Sequence, residues 1–150
     1  MKKMMKNRKG FTLMEMLIVV AIIAILVIIA IPTFNSALAK ARAATDVANI
    51  RSGYAAALVE AMTNGVDKIE ANNTYYLLKD GSVSNAADAT NRYTTQGESK
   101  NATANTTIGG KFEVNKTVTW GKNYNVSYTV TDDGGVPTVT TITAAAAKGN

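Results

Sequence analysis

Residues 9–32 read KGFTLMEMLIVVAIIAILVIIAIP. From Phe11 to Ile31 every residue is apolar except Thr12 and Glu15. As an α-helix these roughly 21 residues span about 31 Å, which matches the thickness of the hydrocarbon core of a bilayer. The stretch therefore predicts a helix that can cross a membrane.

Positive charge precedes this stretch. The first ten positions contain no acidic residue and five basic ones: Lys2, Lys3, Lys6, Arg8 and Lys9. Such an arm is expected to stay in the cytoplasm, with everything after Pro32 on the outer side of the membrane. An ordinary secretory signal carries its small-residue cleavage site after the apolar core. Here the small residue, Gly10, comes before the core, which argues against such a signal.

The run from Lys9 to Val20 closely resembles the processing site and N-terminal helix of type IV pilins and the related pseudopilins. The family pattern is a basic residue, then Gly-Phe-Thr-Leu-x-Glu, then unbroken apolar residues with a proline near their end, here Pro32. The resemblance covers about 35 of the 150 residues. Beyond Pro32 it concerns architecture only.

This resemblance implies a processing step and an assembly role. A prepilin peptidase would cut between Gly10 and Phe11, remove the leader 1–10 and leave Phe11 N-methylated. The mature chain would run from Phe11 to Asn150. In the assembled fibre Glu15 is expected to neutralise the Phe11 amine of a neighbouring copy.

The position of Glu15 also has a physical interpretation. A carboxylate within a membrane helix costs a few kcal/mol unless it is paired or reaches the interface, so it is a functional candidate by default. A place in the first turns also suits a negative charge, because the helix dipole is positive there. The alternative is that Glu15 merely extends to the lipid headgroups.

The charge balance depends on processing. The whole chain has 16 basic and 11 acidic side chains and a pI near 9.5. Without the leader 1–10 the numbers are 11 and 11. The high pI is therefore no sign of nucleic-acid binding, which requires a basic patch on the mature protein.

Cysteine and histidine are both absent. This excludes a Ser/His/Asp triad, a cysteine nucleophile and the usual zinc sites, and there is no Gly-rich phosphate loop. No enzyme activity and no cofactor are expected. Many pilins of Gram-negative bacteria close their C-terminal region with a disulfide, and this chain departs from that pattern. Packing, strand pairing or a metal must hold its outer domain instead.

The helical pattern continues after Pro32. Residues 37–62 are alanine-rich and lack proline, and one apolar stripe recurs at steps of three and four: Val47, Ile50, Tyr54, Leu58 and Ala61. Polar residues are expected on the remaining surface: Lys40, Arg42, Asp46, Asn49, Arg51 and Glu60. We predict one helix from Phe11 to about Met62, with Pro32 as a candidate bend and Asn64 or Gly65 at its end.

The C-terminal region predicts antiparallel strands. The first alternates at Phe112, Val114, Val118 and Trp120 with Lys116 as an interruption, and the second alternates without a break at Tyr124, Val126, Tyr128 and Val130. A third is expected from Thr138 to Ile142 with Pro137 at its entry. Turn residues separate the strands at 121–123 and 132–135. The second strand is expected to contact the helix stripe.

The turn at 132–135 also contains two neighbouring carboxylates, Asp132 and Asp133. They are a weak candidate for a calcium site, and a plain hairpin turn is the preferred interpretation.

The predicted fold is therefore α+β, a long N-terminal helix packed on a small antiparallel sheet, as in type IV pilins. The leader is 1–10, the membrane or fibre-core segment 11–35, and the head 36–150. Within the head we predict the amphipathic helix 36–63, a connecting loop 64–110 and the strands 111–143. Inside that loop Thr74–Leu78 is a short strand or helix, and residues 85–107 form an exposed loop.

The resemblance implies a structural subunit of a type IV pilus for adhesion and motility. Expected partners are other copies of the chain, minor pilins, a prepilin peptidase and an inner-membrane assembly platform with its ATPase. The chain would sit in the cytoplasmic membrane before assembly and in a surface fibre afterwards. The main alternative is a pseudopilin of a type II secretion or competence system. A lone membrane anchor and a membrane-anchored enzyme are more distant alternatives.

Overall fold

A computed structural model describes residues 10–63, 73–86, 90–102, 107–108 and 116–147. Its elements are helix α1 (Leu13–Thr63) and strands β1 (Asn73–Leu77), β2 (Val83–Ser84), β3 (Thr107–Ile108), β4 (Lys116–Thr117), β5 (Tyr124–Asp132) and β6 (Pro137–Ala146). One 3-10 turn spans Ser99–Asn101. The chain divides into two compact units, one ending at Ala37 and the other beginning at Leu38. Of the predicted leader only Gly10 lies within the described residues.

Helix α1 confirms the predicted long helix to within two residues at its start and one at its end. It runs for 51 residues with Pro32 in its interior. Proline has no amide proton, so Pro32 cannot donate a hydrogen bond to the Ile28 carbonyl. The next residue, Thr33, donates its hydroxyl to the Ile29 carbonyl at 3.3 Å. The bend at Pro32 stays a prediction, and the expected stop at 64–65 lies outside the described residues.

The first unit has apolar side chains on every side of the helix. No residue of α1 before Ala43 is buried. Large apolar side chains from Leu13 to Phe34 keep between 45% and 81% of their surface exposed. By length and composition α1 is long and apolar enough to cross a membrane. A helix that is apolar all round needs lipid or other helices around it.

The second unit packs the rest of α1 on a four-stranded antiparallel sheet with the order β2-β1-β5-β6. β5 is central, because Tyr128 lies opposite both Tyr75 on β1 and Ile142 on β6. A bulge at Thr140 shifts the register between β5 and β6. β3 and β4 form a separate two-stranded ladder. The α+β fold predicted from the sequence is confirmed.

The core confirms the predicted contact between the second strand and the helix stripe. Val126, Tyr128 and Val130 are buried in one cluster with Val47 and Ile50. The hydroxyl of Tyr128 donates to the Ile50 carbonyl at 2.8 Å. Tyr54 and Leu58 are half-buried against the same cluster.

A glycine in α1 makes room for this contact. A Cβ at Gly53 would overlap the Tyr128 hydroxyl and lie 2.8 Å from the Leu77 side chain. Gly53 is itself buried. The aromatic ring of β5 therefore reaches the helix backbone only because position 53 has no side chain.

Two strand predictions are confirmed and one is wrong. Thr74–Leu78 was predicted as a short strand or helix and is the strand β1. The predicted third strand is β6, which begins at Pro137 as expected. The predicted first strand is present only as β4, which pairs with β3 and not with β5, and β1 lies beside β5 instead. Val118 and Trp120 of the predicted first strand are buried outside any strand, and Phe112 and Val114 lie outside the described residues.

The predicted exposed loop 85–107 is partly buried where the structure describes it. Thr95 and Gly97 are buried, and Tyr93 packs on the core. The described part 90–102 of this segment folds back onto the end of β1 and the start of β5, because it finds hydrogen-bond partners there. The Thr95 N–H donates to the Tyr124 carbonyl, the Thr95 hydroxyl accepts the Tyr124 N–H, and the Tyr93 N–H donates to the carbonyl of Leu77 on β1.

The Gly53 contact makes a stability prediction. Glycine to alanine in an exposed helix interior normally stabilises by about 1 kcal/mol. Gly53→Ala should instead destabilise the head by about 1–3 kcal/mol, because the methyl group forces Tyr128 to move. The neighbouring exposed Ser52→Ala serves as the matched control and should be neutral or slightly stabilising. Thermal unfolding of the full chain in detergent, followed by circular dichroism, measures both. Equal stability of the two variants would contradict the packing described.

Candidate functional site

The predicted processing site lies ahead of the helix. Gly10 and Phe11 are in irregular backbone directly before α1, and Phe11 is 80% exposed. Among the described residues, no atom beyond its chain neighbours lies within 4 Å of the position that a Cβ on Gly10 would occupy. This segment is thus open to another molecule.

Thr12 and Glu15 form a capping box at the start of α1. The Glu15 carboxylate accepts the Thr12 backbone N–H at 2.7 Å and the Thr12 hydroxyl at 2.9 Å. In return the Thr12 hydroxyl accepts the Glu15 backbone N–H at 3.2 Å. Two N–H groups that the helix leaves without a partner are thereby satisfied. The Glu15 carboxylate is held toward the start of the chain rather than along the helix side.

Thr12 was not singled out in the sequence, although a signal was present. A Thr-x-x-Glu spacing directly before an apolar helical run is the signature of a capping box. The resemblance drew attention to Glu15 for its charge alone. The structure adds that residues 12 and 15 act as a pair. Pro32, the third predicted position of this half, lies 17 residues further along α1 and takes no part in it.

A second polar site lies inside the head and centres on Asp46. We call Asp46, Tyr93, Gln96, Gly97 and Trp120 the Asp46 clasp. The Asp46 side chain is fully buried. Its carboxylate accepts hydrogen bonds from the Tyr93 hydroxyl at 2.6 Å, the Gly97 N–H at 2.7 Å, the Gln96 N–H at 2.9 Å and the Trp120 indole N–H at 3.2 Å.

Glycine again allows the approach. A Cβ on Gly97 would lie 2.6 Å from the Ala43 nitrogen and 3.1 Å from the Arg42 carbonyl carbon. Only a residue without a side chain can bring its N–H so close to the helix. Gly97 thus lets the 93–97 segment lie directly on α1 one turn before Asp46.

The prediction that Asp46 lies on the polar surface of the helix is wrong. The stripe Ala57, Gly53 and Ile50 continues at steps of three and four to position 46, so the periodicity itself directs Asp46 inward. A buried carboxylate is tolerated only when its oxygens have partners. Four donors from two distant segments of the chain supply them, and neither segment is adjacent to residue 46 in sequence.

Asp132 and Asp133 occupy the turn between β5 and β6. An Asp132 carboxylate oxygen accepts the Gly135 N–H at 2.7 Å, and Gly134 and Gly135 have φ angles of 64° and 93°. The hairpin-turn interpretation of this segment is therefore confirmed. Among the residues described, no group of three or more acidic, histidine or cysteine side chains is placed to hold a metal ion.

Comparison with known proteins agrees with the N-terminal features. Residues 5–31 match the family model described as the prokaryotic N-terminal methylation motif. The chain is 42% identical over 67 residues to the type IV major fimbrial protein FimA of Dichelobacter nodosus, which covers 45% of this chain and 41% of that protein. It is 44% identical over 59 residues to a fimbrial protein of Pseudomonas aeruginosa, covering 37% and 38%.

The N-terminal part of the chain is thus similar to a methylation motif and to proteins named as type IV fimbrial proteins. The chain spans about two fifths of the length of the curated relatives it matches. No solved structure matches it. The exposed apolar helix and the relatives named as fimbrial proteins fit membrane anchoring and a fibre.

The Asp46 clasp predicts a large effect of a single substitution. Asp46→Ala leaves buried donors on Tyr93, Gly97 and Trp120 without an acceptor, so the head should lose at least about 3 kcal/mol of stability. Thr45→Ala, at the exposed neighbouring position, is the matched control. Trp120 is the only tryptophan in the chain and is 4% exposed, so its fluorescence reports on this site directly. A red-shifted emission is expected for Asp46→Ala alone, and unchanged emission and stability would refute the clasp.

Alkaline pH should weaken the same site. Partial burial and the hydrogen bond to Asp46 raise the pKa of Tyr93 to about 12, above the usual value near 10. Burial also raises the pKa of Tyr128. A folded-state pKa above the unfolded value means that the folded chain holds the proton more tightly. The stability contributed by neutral Tyr93 is therefore complete below about pH 10 and lost as the pH rises toward 12.

Denaturant unfolding at a series of pH values tests this. The wild-type free energy of unfolding should fall between about pH 10 and pH 12. In Tyr93→Phe this fall should be smaller, because one of the two tyrosines with a raised pKa is no longer present to titrate. Parallel curves for the two proteins would show that Tyr93 carries no such linkage.

Proposed function

We propose that the chain is the structural subunit of a type IV pilus, processed by a prepilin peptidase and polymerised into a surface fibre for adhesion and motility. The observation that carries the proposal is the exposed apolar surface around α1 from Leu13 to Phe34, together with relatives named as fimbrial proteins. Exposure of this apolar surface to water is unfavourable. Lipid covers it before assembly, and the same helices of other copies cover it in the fibre.

Processing occurs between Gly10 and Phe11. The exposed, irregular backbone at these residues supports access by a peptidase. Cleavage removes the basic arm that holds the N-terminus inside the cell and creates a new amine on Phe11, which is then methylated. The mature segment entering the fibre core carries one acidic side chain, Glu15, and one terminal amine.

The capping box supports a pairing role for Glu15. A charge moved into an apolar core must be paired, since an unpaired one costs several kcal/mol. Thr12 holds the Glu15 carboxylate toward the chain start, and one of its oxygens accepts both Thr12 bonds. The other oxygen remains available for the Phe11 amine of a neighbouring copy. Pairing between copies lets the two charges leave the membrane together and sets the register of the helices.

The partners and locations follow from this mechanism. The unprocessed chain spans the cytoplasmic membrane once with its N-terminus inside, as the basic arm favours. A prepilin peptidase, an inner-membrane assembly platform and its ATPase act on it there. Minor pilins and other copies of the chain are its partners in the extracellular fibre.

A pseudopilin of a type II secretion or competence system is the second candidate, because its N-terminal motif is the same. The fimbrial names of the relatives favour the pilus. Mass spectrometry with N-terminal sequencing of protein sheared from cells separates the two. A methylated Phe11 terminus in the sheared fibre fraction supports the pilus subunit. Processed chain that is found only in the membrane supports the pseudopilin, and an intact Met1 terminus in cells with active peptidase contradicts both.

The Glu15 role predicts a separation of processing from assembly. Glu15→Ala should still insert and mature, but the mass of sheared fibre should fall at least about tenfold, because each Phe11 amine enters the core unpaired. Thr12→Ser keeps the hydroxyl of the capping box and should assemble normally. Fibre yield relative to processed chain in the membrane is the measurement. Normal fibres from Glu15→Ala cells would rule out the pairing mechanism.

A further inference from the structure

The head carries charges of opposite sign at its two ends. The ends are defined by the direction of β5 along α1. The start of β5 lies beside Asp46 on the helix. Tyr124 is hydrogen-bonded to Thr95, and the next residue, Gln96, donates its N–H to the Asp46 carboxylate. Further along, Tyr128 lies at the level of Ile50 and Gly53. β5 and α1 therefore advance in the same direction.

The two ends are far apart within one head. Arg42 precedes Ile50 by eight helical residues, or about 12 Å. Asp132 follows Tyr128 by four strand residues, or about 13 Å, in the opposite sense. Because β5 is inclined to α1, these two lengths do not simply add, but the ends are still more than about 12 Å apart, beyond the screening length of about 8 Å in physiological salt. Charges at one end cannot neutralise those at the other within the same copy.

The end near the start of the head helix, which we call the basic end, has an excess of positive charge. Its exposed or half-exposed charged residues are Lys40, Arg42, Lys79, Asp80, Arg92, Glu98, Lys100 and Lys122, of which Arg92 lies over the Tyr76 ring. Lys100 is paired with Glu98 at 2.8 Å. Asp80 bonds to Ser82, and Asp46 is buried in the clasp. In the described part of the chain Lys40 and Arg42 have no acidic partner within ion-pair distance.

The opposite end, which we call the acidic turn, consists of residues 132–135. Asp132 and Asp133 are both exposed there, and the last turn of α1 at the same end contains no basic residue. The Asp132 carboxylate bonds only within its own turn, to Gly135. The described part of the chain places no lysine or arginine within ion-pair distance of either aspartate.

We propose that the acidic turn of one copy docks on the basic end of the next copy, through Asp133 and the exposed cations Lys40 and Arg42. Two different, complementary surfaces on one molecule form a head-to-tail contact that does not close on itself, which is the kind of contact that builds an open filament. Like ends repel, so the contact also selects one direction of stacking. The inference rests on the proposed function, to which it adds a contact between heads.

Charge reversal with rescue is the first test. Asp133→Lys and Arg42→Glu alone should each lower the yield of sheared fibre about two- to fivefold, the range expected for exposed ion pairs. The combined Asp133→Lys and Arg42→Glu variant should recover yield. Asp80→Lys makes the same change in net charge at the basic end and should cause no loss. Unchanged single variants, or a combined variant worse than either, would overturn the contact.

Cysteine cross-linking is the second test, and the absence of native cysteine makes it specific. Ala41 and Val136 are exposed next to the two ends. A disulfide needs Cα atoms within about 7 Å, so cysteines at these positions can bond only between copies. Oxidised cells carrying Ala41→Cys with Val136→Cys should give a ladder of dimers, trimers and longer species. Ala41→Cys alone should give no ladder.

These tests distinguish the failure of the contact from the failure of the pilus proposal. If wild-type cells process the chain but release no fibre, the pilus proposal fails, and the ladder is then scored in the membrane fraction. A ladder there would show that the heads dock without a surface fibre. Absence of a ladder from both fibre and membrane fractions overturns the docking surface.

Discussion

One hydrogen-bonded helix must satisfy two different surroundings, and the rest of the molecule follows from this constraint. Between Leu13 and Ala37 α1 has apolar side chains on every side, none of them buried by the described chain. From Ala43 onward only one stripe is buried, against a sheet. Folding of a single copy does not bury the apolar surface of the first part, because no other element of the described chain covers it. The fold therefore requires an environment of lipid or of other copies.

Two polar sites stabilise α1 at different positions, the Thr12–Glu15 capping box at its start and the Asp46 clasp in the head. At the start of the helix, Thr12 and Glu15 satisfy backbone N–H groups and orient a carboxylate near the residue that would become the amine terminus. In the head, Asp46 collects donors from the 93–97 segment and from Trp120. In a chain without cysteine, this buried carboxylate holds an irregular segment to the helix through several charge-assisted hydrogen bonds, each stronger than a neutral one. It is a non-covalent means of fixing segments that are distant in sequence.

The parts of the fold that could be predicted are those that local patterns determine. The 3.6-residue stripe located Val47 and Ile50, and the alternation at Tyr124–Val130 located β5 and its inward face. The Asp-Asp-Gly-Gly turn located the β5–β6 hairpin, since Gly134 and Gly135 take positive φ.

The predictions that were wrong concern residues whose contacts are distant in sequence. Val118 and Trp120 alternate like a strand but are buried beside a loop. Polarity alone suggested that Asp46 and Thr95 were exposed, although hydrogen bonds to distant segments of the chain offset the cost of burying them. The capping box was readable from the Thr-x-x-Glu spacing, whereas the strand β1 beside β5 was not, because nothing local selects its neighbour.

The central claim is that the exposed apolar half of α1 is covered by the same segment of other copies. A helical reconstruction of sheared fibres by electron cryo-microscopy tests it most directly. The account predicts residues 11–37 bundled in the fibre core, with each Glu15 carboxylate beside the Phe11 amine of a neighbouring copy and the heads outside. Fibres in which this segment lies outside the core, or in which Glu15 faces only its own chain, would contradict it.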